Sequence, residues 1–143
     1  MRIAMLWANE TLGLYSNRSF LELYRGVGHN TGNLAFVYAI ASQIVGDIKF
    51  MPWHSSPKSL RESADIIVIP CANQLGAHTD LSTLAKNLRA AELPIVAIGL
   101  GAQAKDHSVD ISLSEGTLDW VKSISKASIS DQPNIYTRGP YSQ

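Results

Sequence analysis

Three segments hold most of the residues in this chain whose types and spacing suit binding chemistry. The first is Gly26-Val27-Gly28-His29-Asn30-Thr31-Gly32-Asn33, which leads into an apolar, periodic stretch. Glycines let backbone approach a ligand, and the free N–H groups of a helix N-terminus suit an anion. His29, Asn30, Gly32 and Asn33 are the candidates there, as a ligand loop or as a glycine-rich turn with an asparagine cap. No Gly-Lys-Ser/Thr follows, so this is not a Walker loop. The second segment is Pro70-Cys71-Ala72-Asn73-Gln74-Leu75-Gly76. Asn73 and Gln74 are uncharged hydrogen-bonding groups suited to sugar hydroxyls or amides. The third, Gly99-Leu100-Gly101-Ala102-Gln103-Ala104, fits G-x-G-x-x-A by letter. The residues that follow, Lys105 to Asp110, do not open a helix, and the motif follows a fourth strand, not a first. A dinucleotide site is therefore disfavoured. Gly99, Gly101 and Gln103 fit either a small-molecule loop or a tight turn that lets backbone come close to a neighbour. Arg138, just after the last apolar run, is a candidate anion contact, or else a surface arginine.

Other reactive types carry less. Cys71 has no histidine fixed near it by sequence and reads as a small buried residue. His29, His54, His78 and His107 form no i, i+3 or i, i+4 pair with each other or with a carboxylate on a helix, so no metal site is assigned. His29, His78 and His107 fall in loops, where a catalytic base is one option. No catalytic residue is assigned. Trp7, Trp53 and Trp120 read as core aromatics.

The elements that must position these loops are short apolar runs separated by amphipathic stretches. The runs are Ile3–Trp7, Asp47–Met51 (weaker), Ile66–Ile69, Ile95–Ile98 and Asn134–Thr137. Ile66-Ile67-Val68-Ile69 and Ile95-Val96-Ala97-Ile98 are apolar without alternation, as strands buried on both faces are. Leu34, Val37, Ile40, Ala41 and Ile44 repeat at helical spacing. So do Leu81, Leu84, Ala85 and Leu88, with Thr79 or Asp80 as the expected cap. A third stripe, Leu118, Val121 and Ile124, follows a capping-box signature, Ser112 to Glu115. Pro57–Glu62 reads as one or two helical turns. Residues 9–31 fit no period, and Leu21–Tyr24 reads as a short extra strand or turn. The alternation specifies an α/β fold: a Rossmann-like three-layer α/β/α arrangement with a parallel sheet of about five strands.

Composition bounds the function. The 143 residues carry 12 Lys plus Arg against 12 Asp plus Glu, are 45% apolar and only 17% charged. That is one domain's length with enough apolar content for a core. It excludes an intrinsically disordered chain and a polybasic nucleic-acid or membrane surface. The charge content is below the average of about 25%, which suggests a surface normally covered. A single cysteine makes no internal disulfide, the N-terminal apolar run is too short for a signal peptide, and no run nears the roughly 20 residues of a membrane span. A cytoplasmic location is expected. The last strand is followed by Arg138-Gly139-Pro140, where a helix should begin, and the chain reads as cut short there.

These pieces, in this order along all 143 residues, resemble the polysaccharide pyruvyl transferase family. The resemblance is carried by Asn30-Thr31-Gly32-Asn33 opening a helix, the strand Ala64–Ile69 with a polar loop after it, Pro94-Ile95-Val96-Ala97-Ile98-Gly99-Leu100-Gly101, and Tyr136-Thr137-Arg138-Gly139-Pro140-Tyr141-Ser142. Asn33 stands where the family usually has Asp, and the Cys71–Gln74 loop lacks its usual glycine cluster. The resemblance implies one half of a two-domain, glycosyltransferase-B-like enzyme of exopolysaccharide or cell-surface glycan synthesis. Such an enzyme moves a pyruvyl group from phosphoenolpyruvate, a co-substrate, to a sugar hydroxyl, with no resident cofactor. Residues 1–143 would be the N-terminal, acceptor-side domain, inactive without a C-terminal partner domain. The alternatives are a stand-alone flavodoxin-like small-molecule binding domain and another glycosyltransferase-B-type glycosyltransferase. A phosphorylated receiver domain fails, because Asp47 and Asp65 precede their strands rather than follow them.

Overall fold

Continuous β-branched runs leave no polar face for water, and the two strongest runs form the middle of the sheet. The computed structural model describes residues 1–7, 19–26, 31–103 and 111–139. Its strands are β1 (Arg2–Leu6), β2 (Asp47–Met51), β3 (Ile66–Pro70), β4 (Ile95–Leu100) and β5 (Ile135–Thr137). They pair in the order β2-β1-β3-β4-β5, all parallel. The register sets Ile3 beside Ile66, Met5 beside Val68, and Val68 beside Val96. β3, central, is buried at every position.

The helices are α1 (Phe20–Gly26), α2 (Thr31–Gln43), α3 (Pro57–Ser63), α4 (Ser82–Ala91) and α5 (Glu115–Lys126). Strand residues alternate between two cores. Ala4, Leu6, Ile67, Ile69, Ile95 and Ala97 pack with side chains of α3, α4 and α5. Ile3, Met5, Trp7, Ile66 and Val68 pack with Val37 and Ile40 of α2. Helices on both faces of an all-parallel sheet make the three-layer, Rossmann-like α/β fold. Strand order reverses direction between β1 and β3, and in open α/β sheets the carboxyl edge near such a reversal is where ligands bind. No helix among the described residues is long and apolar enough to cross a membrane.

Several expectations are corrected. Leu21–Tyr24 is neither strand nor turn: it lies in α1. Ser19 caps that helix, with its N–H and hydroxyl both donating to Glu22 Oε2, at 2.9 and 2.7 Å. This reciprocal cap outweighs local β-propensity. The cap of α5 is Ser114, not Ser112, and its Oγ accepts from Thr117 N–H at 3.1 Å. The buried face of α5 is accordingly Thr117, Trp120 and Ile124, while Leu118 is 43% exposed. Leu81 occupies the cap position of α4 without a side-chain bond. Asp80 still serves that helix, accepting from Ser82 N–H at 2.8 Å. Asn134 lies outside β5 and is buried, donating to the carbonyls of Ile95 and Ile124 at 3.0 and 2.6 Å. β4 runs two residues further than its apolar run, through Gly99 and Leu100.

Candidate functional site

The loops after β3, β4 and β5 are tied together by backbone. Cys71 N–H donates to Ile98 O at 2.8 Å and Gly101 N–H to Ala72 O at 2.7 Å. Leu75 N–H reaches Gly101 O at 3.1 Å, Gln103 N–H reaches Leu75 O at 2.8 Å, and Arg138 N–H reaches Leu100 O at 3.0 Å. Parallel pairing thus continues past the strand ends as a bridge between Leu75 and Ala102. Three chain segments far apart in sequence are held side by side at the carboxyl edge.

Five side-chain or glycine positions converge there. Arg138 Nη1 donates to Asn73 Oδ1 at 3.4 Å. Its guanidinium carbon lies 5.6 Å from the centre of the Phe36 ring, over its face. Phe36, in the second turn of α2, in turn fills the space beside Gly99. A Cβ on Gly99 would stand 2.4 Å from Phe36 Cζ, and Gly99 has φ +80°, a conformation side chains disfavour. Register in the sheet shifts at this point, between Ile98 and Leu100. A Cβ on Gly101 would stand 2.9 Å from Asn73 Oδ1 and 3.2 Å from Arg138 Cδ. The two glycines of the G-x-G motif therefore admit protein side chains of this chain. That is the close-neighbour turn weighed from sequence.

Among the described residues, no Asp or Glu forms an ion pair with Arg138. An exposed guanidinium resting on an aromatic face keeps its in-plane N–H groups for a carboxylate or phosphate. The Arg138 charge also reaches Cys71. Burial is the larger influence and pushes that thiol up to about 12, against smaller lowering effects of a backbone hydrogen bond from Ile98 and of Arg138. Cys71 donates to Ile69 O at 3.3 Å inside the core. A thiol so placed is not a nucleophile at neutral pH.

The other candidates separate. His29, Asn30 and His107 lie outside the described residues. Gly32 and Asn33 form part of the first turn of α2, one turn before Phe36. Gln74 turns inward: its Oε1 accepts from Ala72 N–H, so that oxygen shapes the loop and does not face a ligand. Gln103 has an exposed side chain and holds the loop through its backbone. His78 Nε2 lies 3.0 Å from Asn73 O and staples the same loop. Phe36 escaped sequence reasoning: it lies outside the stripe Leu34, Val37, Ile40, Ala41 and Ile44, and one aromatic residue in a helix carries no binding signal of its own. No cluster of metal-ligating side chains occurs among the described residues.

A cavity of about 470 Å³ lies elsewhere, at the amino end of β4, between the last turns of α4 and α5. Leu88, Arg89, Glu92 and Lys126 line it. The Arg89 guanidinium is committed to Asp119 Oδ2 at 2.6 Å and to Ser123 Oγ at 3.0 Å. The cavity sits where two helix C-termini, the negative ends of their dipoles, meet. Its arginine is committed to a carboxylate, unlike Arg138, and its lysine, Lys126, shares the lining with Glu92.

No family model, curated protein or solved structure matches this chain.

Proposed function

We propose that this chain binds a small anionic, hydroxyl-bearing molecule at the carboxyl edge of its sheet, between the loops after β3, β4 and β5. The observation that carries this is the convergence of Asn73, Gly101 and Arg138, with Arg138 free of any carboxylate among the described residues. Arg138 supplies charge-assisted hydrogen bonds to an oxyanion, and Asn73 a carboxamide N–H for a hydroxyl or carbonyl.

The reaction class rests on the sequence resemblance. In that reading the chain is the N-terminal half of a pyruvyl transferase-like enzyme with glycosyltransferase-B-like architecture, acting in the cytoplasm. A second domain completes the site, phosphoenolpyruvate donates the pyruvyl group, and a sugar hydroxyl accepts it. Fold does not specify function, so the binding site and the reaction are tested separately. Calorimetric titration of the chain with phosphoenolpyruvate, pyruvate, inorganic phosphate and nucleotide sugars tests the site. Saturable binding lost in Arg138→Gln supports it, and no binding of any of them overturns it. Assay for ketal formation tests the reaction: the chain alone is expected to be inactive, and robust turnover without a second domain contradicts the two-domain reading.

A second reading is a stand-alone small-molecule binding domain. It is favoured by one observation, the flavodoxin-like strand order β2-β1-β3-β4-β5. Tight binding by the chain itself, with no gain on adding a candidate partner domain, selects it.

A further inference from the structure

The geometry points to Phe36 as a positioning residue: through its ring it holds Arg138 at the carboxyl edge in the orientation that receives a planar oxyanion. This rests on the reading of that edge as the binding site.

Arginine loses considerable rotamer freedom when fixed, and an exposed one just past a three-residue edge strand has few means of being fixed. Here two are present. The Asn73 contact at 3.4 Å is long for a hydrogen bond and holds one nitrogen weakly. The Phe36 face is the second, with the guanidinium carbon 5.6 Å from the ring centre. A ring face binds the flat side of the guanidinium and leaves its edge open, whereas a carboxylate partner would occupy that edge. The ring in turn is confined at its tip. It occupies the place of a Gly99 side chain, and Gly99 is in the left-handed region at φ +80°. A bulged glycine at the ring's tip and an arginine over its face therefore link β4, α2 and the end of β5. Each is explained by the next: the glycine makes room for the ring, and the ring orients the charge. A Phe36 that served only to cover the sheet, on which it also packs, would need the missing Cβ at Gly99 but not the cation above it.

The test reads anion affinity of the full 143-residue chain, with phosphoenolpyruvate, pyruvate and inorganic phosphate as probes. The variants are Phe36→Leu, Arg138→Gln, their double, and a chain carrying phenylalanine fluorinated at both δ carbons at position 36. The fluorinated ring keeps its shape but has a weaker face for a cation, so a covering role would not register it. Phe36→Leu is expected to weaken binding roughly three- to tenfold, and the fluorinated ring about two- to fivefold with an unchanged melting temperature. Neither change should add to Arg138→Gln. Affinity unchanged in the fluorinated chain, while Arg138→Gln abolishes binding, overturns the role of Phe36 and leaves the site standing. Equal affinity in wild type and Arg138→Gln, or no binding of any probe, overturns the site itself and this role with it. Greater affinity for pyruvate than for phosphate marks a carboxylate as the bound group, and the reverse marks a phosphate. Either preference, with the Phe36 dependence, supports the proposal.

Discussion

Arg138 Nη1 donates to Asn73 Oδ1 at 3.4 Å across 65 positions of sequence. The pair joins the loop after β3 to the end of β5, two strands apart in the sheet. Both residues are exposed, so the contact is worth little to folding and is free to be remade with a ligand. Arg138→Gln is expected to weaken anion binding about 10- to 100-fold, the span of a charge-assisted hydrogen bond. Asn73→Ala should cost about two- to fivefold. Both should melt within a few degrees of wild type, as calorimetry and thermal unfolding would show.

Gly99 and Gly101 should separate stability from binding. At Gly99, a side chain meets both a left-handed φ of +80° and the Phe36 ring 2.4 Å away. Gly99→Ala is expected to destabilise by roughly 2–4 kcal/mol, from the backbone and overpacking terms together. At Gly101, the nearest obstacles are the Asn73 carboxamide at 2.9 Å, and the Ala72 carbonyl oxygen and Arg138 Cδ, both at 3.2 Å. Those side chains are exposed and can move aside. With the Ala72 carbonyl also having to give slightly, Gly101→Ala should cost about 1–2 kcal/mol in folding, less than at Gly99, yet displace the pair and impair binding. Urea unfolding beside calorimetric titration checks both.

Much of the fold is legible in the residues. The β-branched runs Ile66–Ile69 and Ile95–Ile98 leave little alternative to buried parallel strands, and both are found there. α1 is different: its identity depends on the Ser19–Glu22 cap, a two-residue signal inside a stretch without periodicity. The site divides along the same line. Asn73, Gly101 and Arg138 are polar or small residues at strand ends, which sequence order alone brings to one edge. Phe36 and the purpose of Gly99 depend on a contact across 63 positions, between α2 and β4, and nothing local encodes it. Gln74 has the right chemistry at the right edge, but its side chain closes on its own loop at Ala72.

The Cys71 thiol, raised by burial to about 12, should be unreactive in the folded chain. Iodoacetamide at pH 8 is expected to leave it unmodified until urea unfolds the protein. A raised folded value means the neutral thiol is favoured by folding. Its contribution is complete below the ordinary value of 9.0 and is lost as pH rises towards 12. Mass spectrometry after timed alkylation checks the first statement, and an alkaline unfolding series of wild type against Cys71→Ala checks the second.

Asp65 behaves in the opposite sense. Its carboxyl is held below its ordinary 3.8, chiefly by the Arg2 side-chain hydrogen bond and next by the Arg2 backbone N–H. The bonds are 2.6 Å from Nη2, 3.0 Å from Nε and 2.8 Å from the backbone N. A lowered folded value contributes stability above the ordinary carboxylate range, lost as pH falls through the folded value. Asp65→Asn should therefore melt slightly below wild type at pH 7, and the difference should close on acidification below pH 3.8. Melting curves taken across that range check it.

The most direct test of the binding edge is a backbone amide NMR titration of the chain with phosphoenolpyruvate. The expected result is saturable shifts at Asn73, Gly99, Gly101 and Arg138, absent in Arg138→Gln. Shifts confined to Arg89, Glu92 and Ser128 at the opposite edge of the sheet, or no shifts at all, would contradict it.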